Sequence, residues 1–162
     1  MLQPLSTDLY LASLPHLGKD FNASPAAVQQ TLSLFVIGFG VAQLLSGPLS
    51  DRFGRRPVLL WGLGIYGLAS LACALAPNLN GLIAARFVQA IGCCTAAVVA
   101  RALIRDAFTP TEGAKVLTKA SSLLALAPLI GPVLGSYLQV SFGWRAAFVF
   151  HTLFCLILGI AA

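Results

Sequence analysis

Charge is what this 162-residue chain has least of: ten Lys or Arg and five Asp or Glu make up only 9% of it, against about 25% in an ordinary soluble domain. A soluble protein of this length could not cover a core when 58% of its residues are hydrophobic. The mean hydropathy of +0.88 points to lipid as the solvent, with several spans needed to use up the apolar sequence. The few acids stand singly, so no paired carboxylates, no nucleophile beside a base and no metal-spaced ligand set is placed together; an enzyme is the least favoured reading, and neither metal nor cofactor is expected. A polybasic run is also lacking, so the net charge of +5 reads as membrane orientation and nucleic acid is not an expected partner. The N-terminus has no basic segment and carries Gln3, Ser6, Thr7 and Asp8 where a secretory signal would need an apolar core. Four cysteines, Cys73, Cys93, Cys94 and Cys155, lie inside apolar stretches at spacings that suit neither zinc nor a disulfide framework. They read as small packing residues.

What is present is a succession of long apolar runs, predicted as helices over about 2–14, 26–50, 57–76, 82–104, 116–140 and 146–162. The first is too short to cross at 1.5 Å per residue, so the inner part of that helix is expected to be missing and Met1 need not be a natural start. Ser24-Pro25 opens the second run with a cap and a first-turn proline, and Gly38, Ala42 and Ser46 give it a small-residue face for close helix packing. The fifth run carries Pro128 and Pro132, which should bend it. Charge gathers in the connections. Arg52, Arg55, Arg56, Arg101, Arg105, Lys115 and Lys119 fall in alternate loops, against Lys19 and Arg145 on the other side, which places loops 51–56 and 106–115 in the cytoplasm. Trp144 suits an interfacial anchor.

Two ionisable residues interrupt the apolar runs. Asp8, seven residues before Pro15, lies roughly 10 Å inside the membrane, and Arg86, five after Gly81, roughly 8 Å below the same outer surface. Each costs at least about 2.5 kcal/mol to insert and is tolerated mainly beside a partner or a polar cavity. Asp8 could therefore take up and release a proton, its affinity raised by desolvation and lowered by Arg86, or merely cap or pair within the bundle. Gln89 and Cys93 share the helix face of Arg86; that face either lines a pathway or holds a glutamine bonded to a neighbouring backbone. At the inner end, Gly47 and Asp51 share a face, Gly54 permits a tight reversal, and Arg52 is expected to pair with Asp106 across a helix interface. The bland alternative is that these charges only fix topology. His151 is expected to be packed and hydrogen-bonded, with a place in a proton path as the alternative, and His16 solvated.

Gly47-x-Leu49-x-Asp51-Arg52-x-Gly54-Arg55-Arg56 resembles the signature loop between helices two and three of the major facilitator superfamily. Arg86-x-x-Gln89-x-x-Gly92 resembles its fourth-helix motif, with Ala90 where many members have glycine. Gly131-Pro132-x-x-Gly135 is similar to the fifth-helix motif of drug/proton antiporters, with Ala127 and Ser136 in place of glycines. Pro4-Leu5-Ser6-Thr7-Asp8-Leu9-Tyr10-Leu11 and Arg101-Ala102-x-x-Arg105-Asp106 look like the bicyclomycin-resistance (Bcr/CflA) group of multidrug exporters. The resemblance implies an all-α membrane fold: a six-helix bundle forming the N-terminal half of a twelve-helix transporter, with the second half absent from this chain. It implies proton or substrate coupling through Asp8, Arg86, Gln89 and Tyr10. It also implies a conformational latch of Gly47, Asp51, Arg52, Gly54, Arg55, Arg56 and Asp106, and a helix bend at Gly131, Pro132 and Gly135. The expected partners are a small, amphipathic drug-like substrate, the bilayer of the inner membrane and the missing half; a proton gradient drives the cycle. Export or symport of an amino acid or metabolite is the same-family alternative, and a membrane-embedded assembly module without transport of its own is the alternative of another class.

Overall fold

The computed structural model describes residues 6, 7, 10, 17, 18 and 20–161, and the regular structure among them is helical. Six helices follow in order: α1 (Pro25–Phe53), α2 (Arg55–Ala74), α3 (Leu79–Ala107), α4 (Pro110–Ala125), α5 (Ala127–Phe142) and α6 (Arg145–Ala161). Asp8, His16 and most of the expected first span lie outside the described residues.

The helix starts are written in their caps. The Ser24 hydroxyl accepts from the Ala27 N–H ahead of Pro25, and the Asn78 side chain accepts from the Gly81 N–H at 2.7 Å. Thr109 and Glu112 form a capping box, which starts α4 at Pro110 rather than near residue 116. Counting apolar residues locates the hydrocarbon; caps locate the helix, and the two differ because α1 and α3, at 29 residues each, exceed the roughly 20 a bilayer needs. The inner loop expected over 51–56 shrinks accordingly to Gly54. Its φ of 91° lies in the region that glycine alone enters without strain.

The fifth run is two helices, not one. Its 42° break falls at Leu126, which corrects the bend expected at Gly131-Pro132-Gly135. Pro128 explains the position: it has no N–H for the carbonyl four residues back and its ring crowds that turn, so the chain tightens locally, Leu126 and Leu129 donating to carbonyls three residues earlier. Pro132 sits inside α5 without ending it, and Gly131 and Gly135 are the buried residues of that helix.

The α2–α3 pair is the centre of the bundle, with α1 on the other side of α3 and α6 on α2. Glycine makes the central seam close. A Cβ on Gly92 would stand 2.5 Å from the Tyr66 nitrogen and 2.7 Å from the Gly62 oxygen, and one on Gly62 would stand 3.0 Å from the Ala96 nitrogen. The small face of α1 turns to α3 as its spacing predicts: Gly38 meets Phe87, Ala42 is buried, and the Ser46 and Thr95 hydroxyls lie 3.1 Å apart. Cys155 of α6 donates from Sγ to the Leu63 carbonyl, and all four cysteines are buried and unbridged.

One end of the bundle collects the C-termini of α1 and α3 with the N-termini of α2 and α4, hence Arg52, Arg55, Arg56, Arg101, Arg105, Lys115 and Lys119. The opposite end is tied by Trp144, whose Nε1 donates to Asp20 at 2.9 Å, and by Arg145, whose Nε donates to the Ala74 carbonyl. Trp144 is 3% exposed and packs against Phe21 and Phe148. It stands at the outer end, where an interfacial anchor was expected, with its ring packed inside the bundle. α1, α2 and α3 are each long and apolar enough to cross a membrane, α4 and α5 together make a bent fourth candidate, and α6 adds a shorter apolar helix.

Candidate functional site

Arg86 is the largest fully buried side chain in the described residues. An arginine stripped of water needs its charge and its five donors met by the protein. The rings of Tyr10, Phe35 of α1 and Phe148 of α6 surround the guanidinium, their centroids 3.8, 4.9 and 5.3 Å from its carbon. Nη1 donates to Gln89 Oε1 at 2.8 Å, and longer contacts of 3.4 to 3.5 Å run to the hydroxyl and carbonyl of Ser6. Desolvated cation–π contacts contribute about 2 kcal/mol each, so three faces and one charged hydrogen bond offset much of the burial penalty. Nε has no hydrogen-bond partner among the described residues.

Gln89 lies one turn after Arg86, and the close seam at Gly92 brings α2 within its reach. Its Nε2 donates to Ser70 Oγ at 2.7 Å, and Ser70 donates in turn to the Tyr66 carbonyl. Gln89 thus bonds the neighbouring helix α2, through a side chain and not through the backbone expected. The Tyr10 hydroxyl meets Thr31 Oγ1 at 2.5 Å, which is bonded to the Val28 carbonyl at 2.6 Å. Tyr10, Arg86 and Gln89 are thus brought together, while Asp8 lies outside the described residues. His151 is buried among the rings of Tyr66, Phe148 and Phe150. Thr31, Phe35, Tyr66, Ser70 and Phe148 escaped the sequence reading. The only signal for Ser70 and Thr31 was a hydroxyl in an otherwise apolar span.

The second cluster is at the basic end. Arg55, not Arg52, is its hub: Nη1 pairs with Asp51 Oδ1 at 2.6 Å, Nε with Asp106 Oδ2 at 2.9 Å, and Nη1 also donates to Ser50 Oγ. The one-residue reversal at Gly54 accounts for the correction, since it sets the first residue of α2 between the ends of α1 and α3. Arg52 remains on the last turn of α1, over the Phe53 ring at 5.5 Å, and Arg56 is exposed. Gly47 makes no close helix contact either. A Cβ there would meet nothing within 4 Å, and it borders an open cavity of about 460 Å³ with Ser50, Asp51, Arg55, Arg101 and Arg105 on its walls. Arg55→Ala should therefore lower the melting temperature by up to about 2 °C at low salt and by less in 1 M salt, where the screening length falls to about 3 Å. Arg52→Ala should leave it unchanged, and equal effects of the two would return Arg52 to the network.

The family model for the Major Facilitator Superfamily matches residues 1–162. The chain belongs to the major facilitator superfamily. It is a multi-pass membrane protein with the helices of the N-terminal half of that fold. Among similar proteins is the "Uncharacterized MFS-type transporter YdgK" of Bacillus subtilis (strain 168), 40% identical over 155 residues, a match covering 94% of this chain and 38% of that protein. An "Uncharacterized transporter" of Rickettsia bellii (strain RML369-C) is 38% identical over 152 residues, with coverage of 94% and 38%. "Multidrug resistance protein MdtL" of Escherichia coli O139:H28 (strain E24377A / ETEC) is 35% identical over 148 residues, with coverage of 91% and 38%. The chain thus spans about 38% of the length of these superfamily relatives.

Proposed function

We propose that this chain forms the N-terminal half of a proton-coupled multidrug exporter of the inner membrane, exchanging protons for small amphipathic compounds by alternating access. The observation that carries the reading is the Arg86 centre. A fully buried cation is fixed by residues from four parts of the chain, and two of these, Ser6 and Tyr10, flank Asp8 in sequence. Intramembrane ionisable groups with such dedicated surroundings mark ion or substrate pathways. In this scheme Asp8 carries the transported proton, Arg86 biases its release, and the proton gradient drives the cycle without a cofactor. The name of the Escherichia coli relative supports the choice of drug-like cargo. The Arg55 cluster, at the cytoplasmic face, lies beside an open basic cavity that a second transporter half would cover.

In vesicles containing the full-length transporter, Asp8→Asn is expected to abolish ethidium efflux driven by an imposed proton gradient, a loss beyond about a hundredfold, while leaving the melting temperature within a few degrees. Undiminished efflux in that variant would remove the proton-coupling role.

A further inference from the structure

Hydroxyl groups around Arg86 carry directional information. A serine or threonine has a single proton, and guanidinium has donors alone. Because Nη1 of Arg86 donates to Gln89, the amide must turn Oε1 toward the arginine and Nε2 away from it. That Nε2 finds Ser70 Oγ at 2.7 Å, and the Ser70 proton is already committed to the Tyr66 carbonyl at 2.7 Å. Ser70 therefore faces Gln89 purely as an acceptor. Thr31 repeats the arrangement beside Tyr10. Its proton goes to the Val28 carbonyl at 2.6 Å, so it accepts from the Tyr10 hydroxyl, whose ring lies 3.8 Å from the cation. Both chains run outward from Arg86 and end on a helix carbonyl, one in α2 and one in α1.

We infer that Ser70 and Thr31 are positioning residues for Arg86: each presents an acceptor-only oxygen, and together they fix the amide orientation of Gln89 and the ring orientation of Tyr10 around the buried cation. Without Ser70, the Gln89 amide loses the acceptor that Nε2 has among the described residues, and only the Arg86 donor is left to keep Oε1 on the arginine; reversed, the amide would set donors against donors. Without Thr31, the Tyr10 phenol loses the acceptor that holds its ring over the guanidinium. Both residues are fully buried, away from bulk solvent. Among the described residues, the titratable groups around the cation are Tyr10 ahead of α1, Tyr66 and Cys73 on α2, and Cys93 on α3; His151 on α6 packs against Tyr66 and Phe148.

A melting cycle on the purified full-length transporter tests the polarity without any assumption about cargo. Ser70→Ala should lower the wild-type melting temperature by a few degrees, and by less than half as much in an Arg86→Met background; likewise Thr31→Val against a Tyr10→Phe background. Equal drops in both backgrounds would overturn the inference. The second readout rests on the exporter reading: the pH of half-maximal ethidium efflux should move by about half a unit or more in Ser70→Ala and Thr31→Val, and Thr31→Ser, which keeps the acceptor, should restore it. A profile unmoved in both variants overturns the role in coupling. Absence of proton-driven ethidium efflux in the unaltered protein would refute the exporter reading instead, and the melting cycle then decides the positioning claim alone.

Discussion

Replacing Gly92 by alanine is expected to destabilise the folded transporter by at least about 3 kcal/mol, the upper part of the range for overpacking a close-packed interior. The three atoms that an added Cβ would meet, the Tyr66 nitrogen at 2.5 Å, the Gly62 oxygen at 2.7 Å and the Tyr66 Cα at 2.9 Å, all belong to the α2 backbone. No side chain can rotate away. Ordinary carbon contacts lie near 3.5 to 4.0 Å, so α2 and α3 must part by roughly 1 Å, and the whole seam opens with them, including the Gly62 contacts to Thr95 and Ala96. Gly64→Ala, on the same helix pair but with nothing within 4 Å, serves as the control and should be neutral or slightly stabilising, since alanine favours a helix by about 1 kcal/mol over glycine. Thermal unfolding of the two purified variants checks this. If Gly92→Ala melts with Gly64→Ala, the close approach of the two helices is not what the structure describes.

The same seam connects packing to the site. Gly92 stands three residues after Gln89, so the two share one side of α3, and the glycine contact is what brings α2 near enough for Gln89 to reach Ser70. A looser seam would lengthen that 2.7 Å bond before it unfolded anything. The Gly92 variant should therefore disturb the arginine even where it is not in contact with it.

Much of this was legible in the residues. The apolar runs, the Ser24-Pro25 start and the glycine hinge at residue 54 follow from one-dimensional rules of span length, capping and backbone freedom, and these need no knowledge of neighbours. Arg86 and Gln89 announce themselves because polar groups are costly in lipid. What could not be read depends on relative helix placement. Arg52 and Arg55 are equally basic and both within two residues of Gly54, and only the sharpness of the Gly54 reversal decides which of them faces Asp106. Pro128 and Pro132 are chemically identical, yet only the first interrupts the helix. The single hydroxyls of Ser70 and Thr31 look like ordinary membrane serine and threonine, which commonly bond their own helix carbonyl; their second bonds exist only because Gln89 and Tyr10 arrive from elsewhere in the chain. The partner of Trp144 was hidden for the same reason, since Asp20 reaches it across 124 positions.

The substitution that keeps the charge should separate the role of Arg86 from mere electrostatics. In Arg86→Lys the ammonium retains one positive charge, but it has no planar face to lay on Tyr10 and no fork to hold Gln89 and Ser6 together, and it is more strongly hydrated than guanidinium. A charged hydrogen bond is worth about 1.5–3 kcal/mol and a desolvated cation–π contact about 2 kcal/mol, so under the proposed exporter function proton-driven ethidium efflux should fall at least about a hundredfold. Stability separates the variants in the opposite order. Removing a buried charge altogether removes its desolvation penalty, so Arg86→Met should unfold within about 2 kcal/mol of the unaltered protein and above Arg86→Lys, while transporting nothing. The pair of orders, Met more stable than Lys and both inactive, follows only if the guanidinium's shape holds the site together. Lysine supporting efflux at the original rate would show that a point charge suffices, and the aromatic cage and the Gln89 bond would then be packing alone.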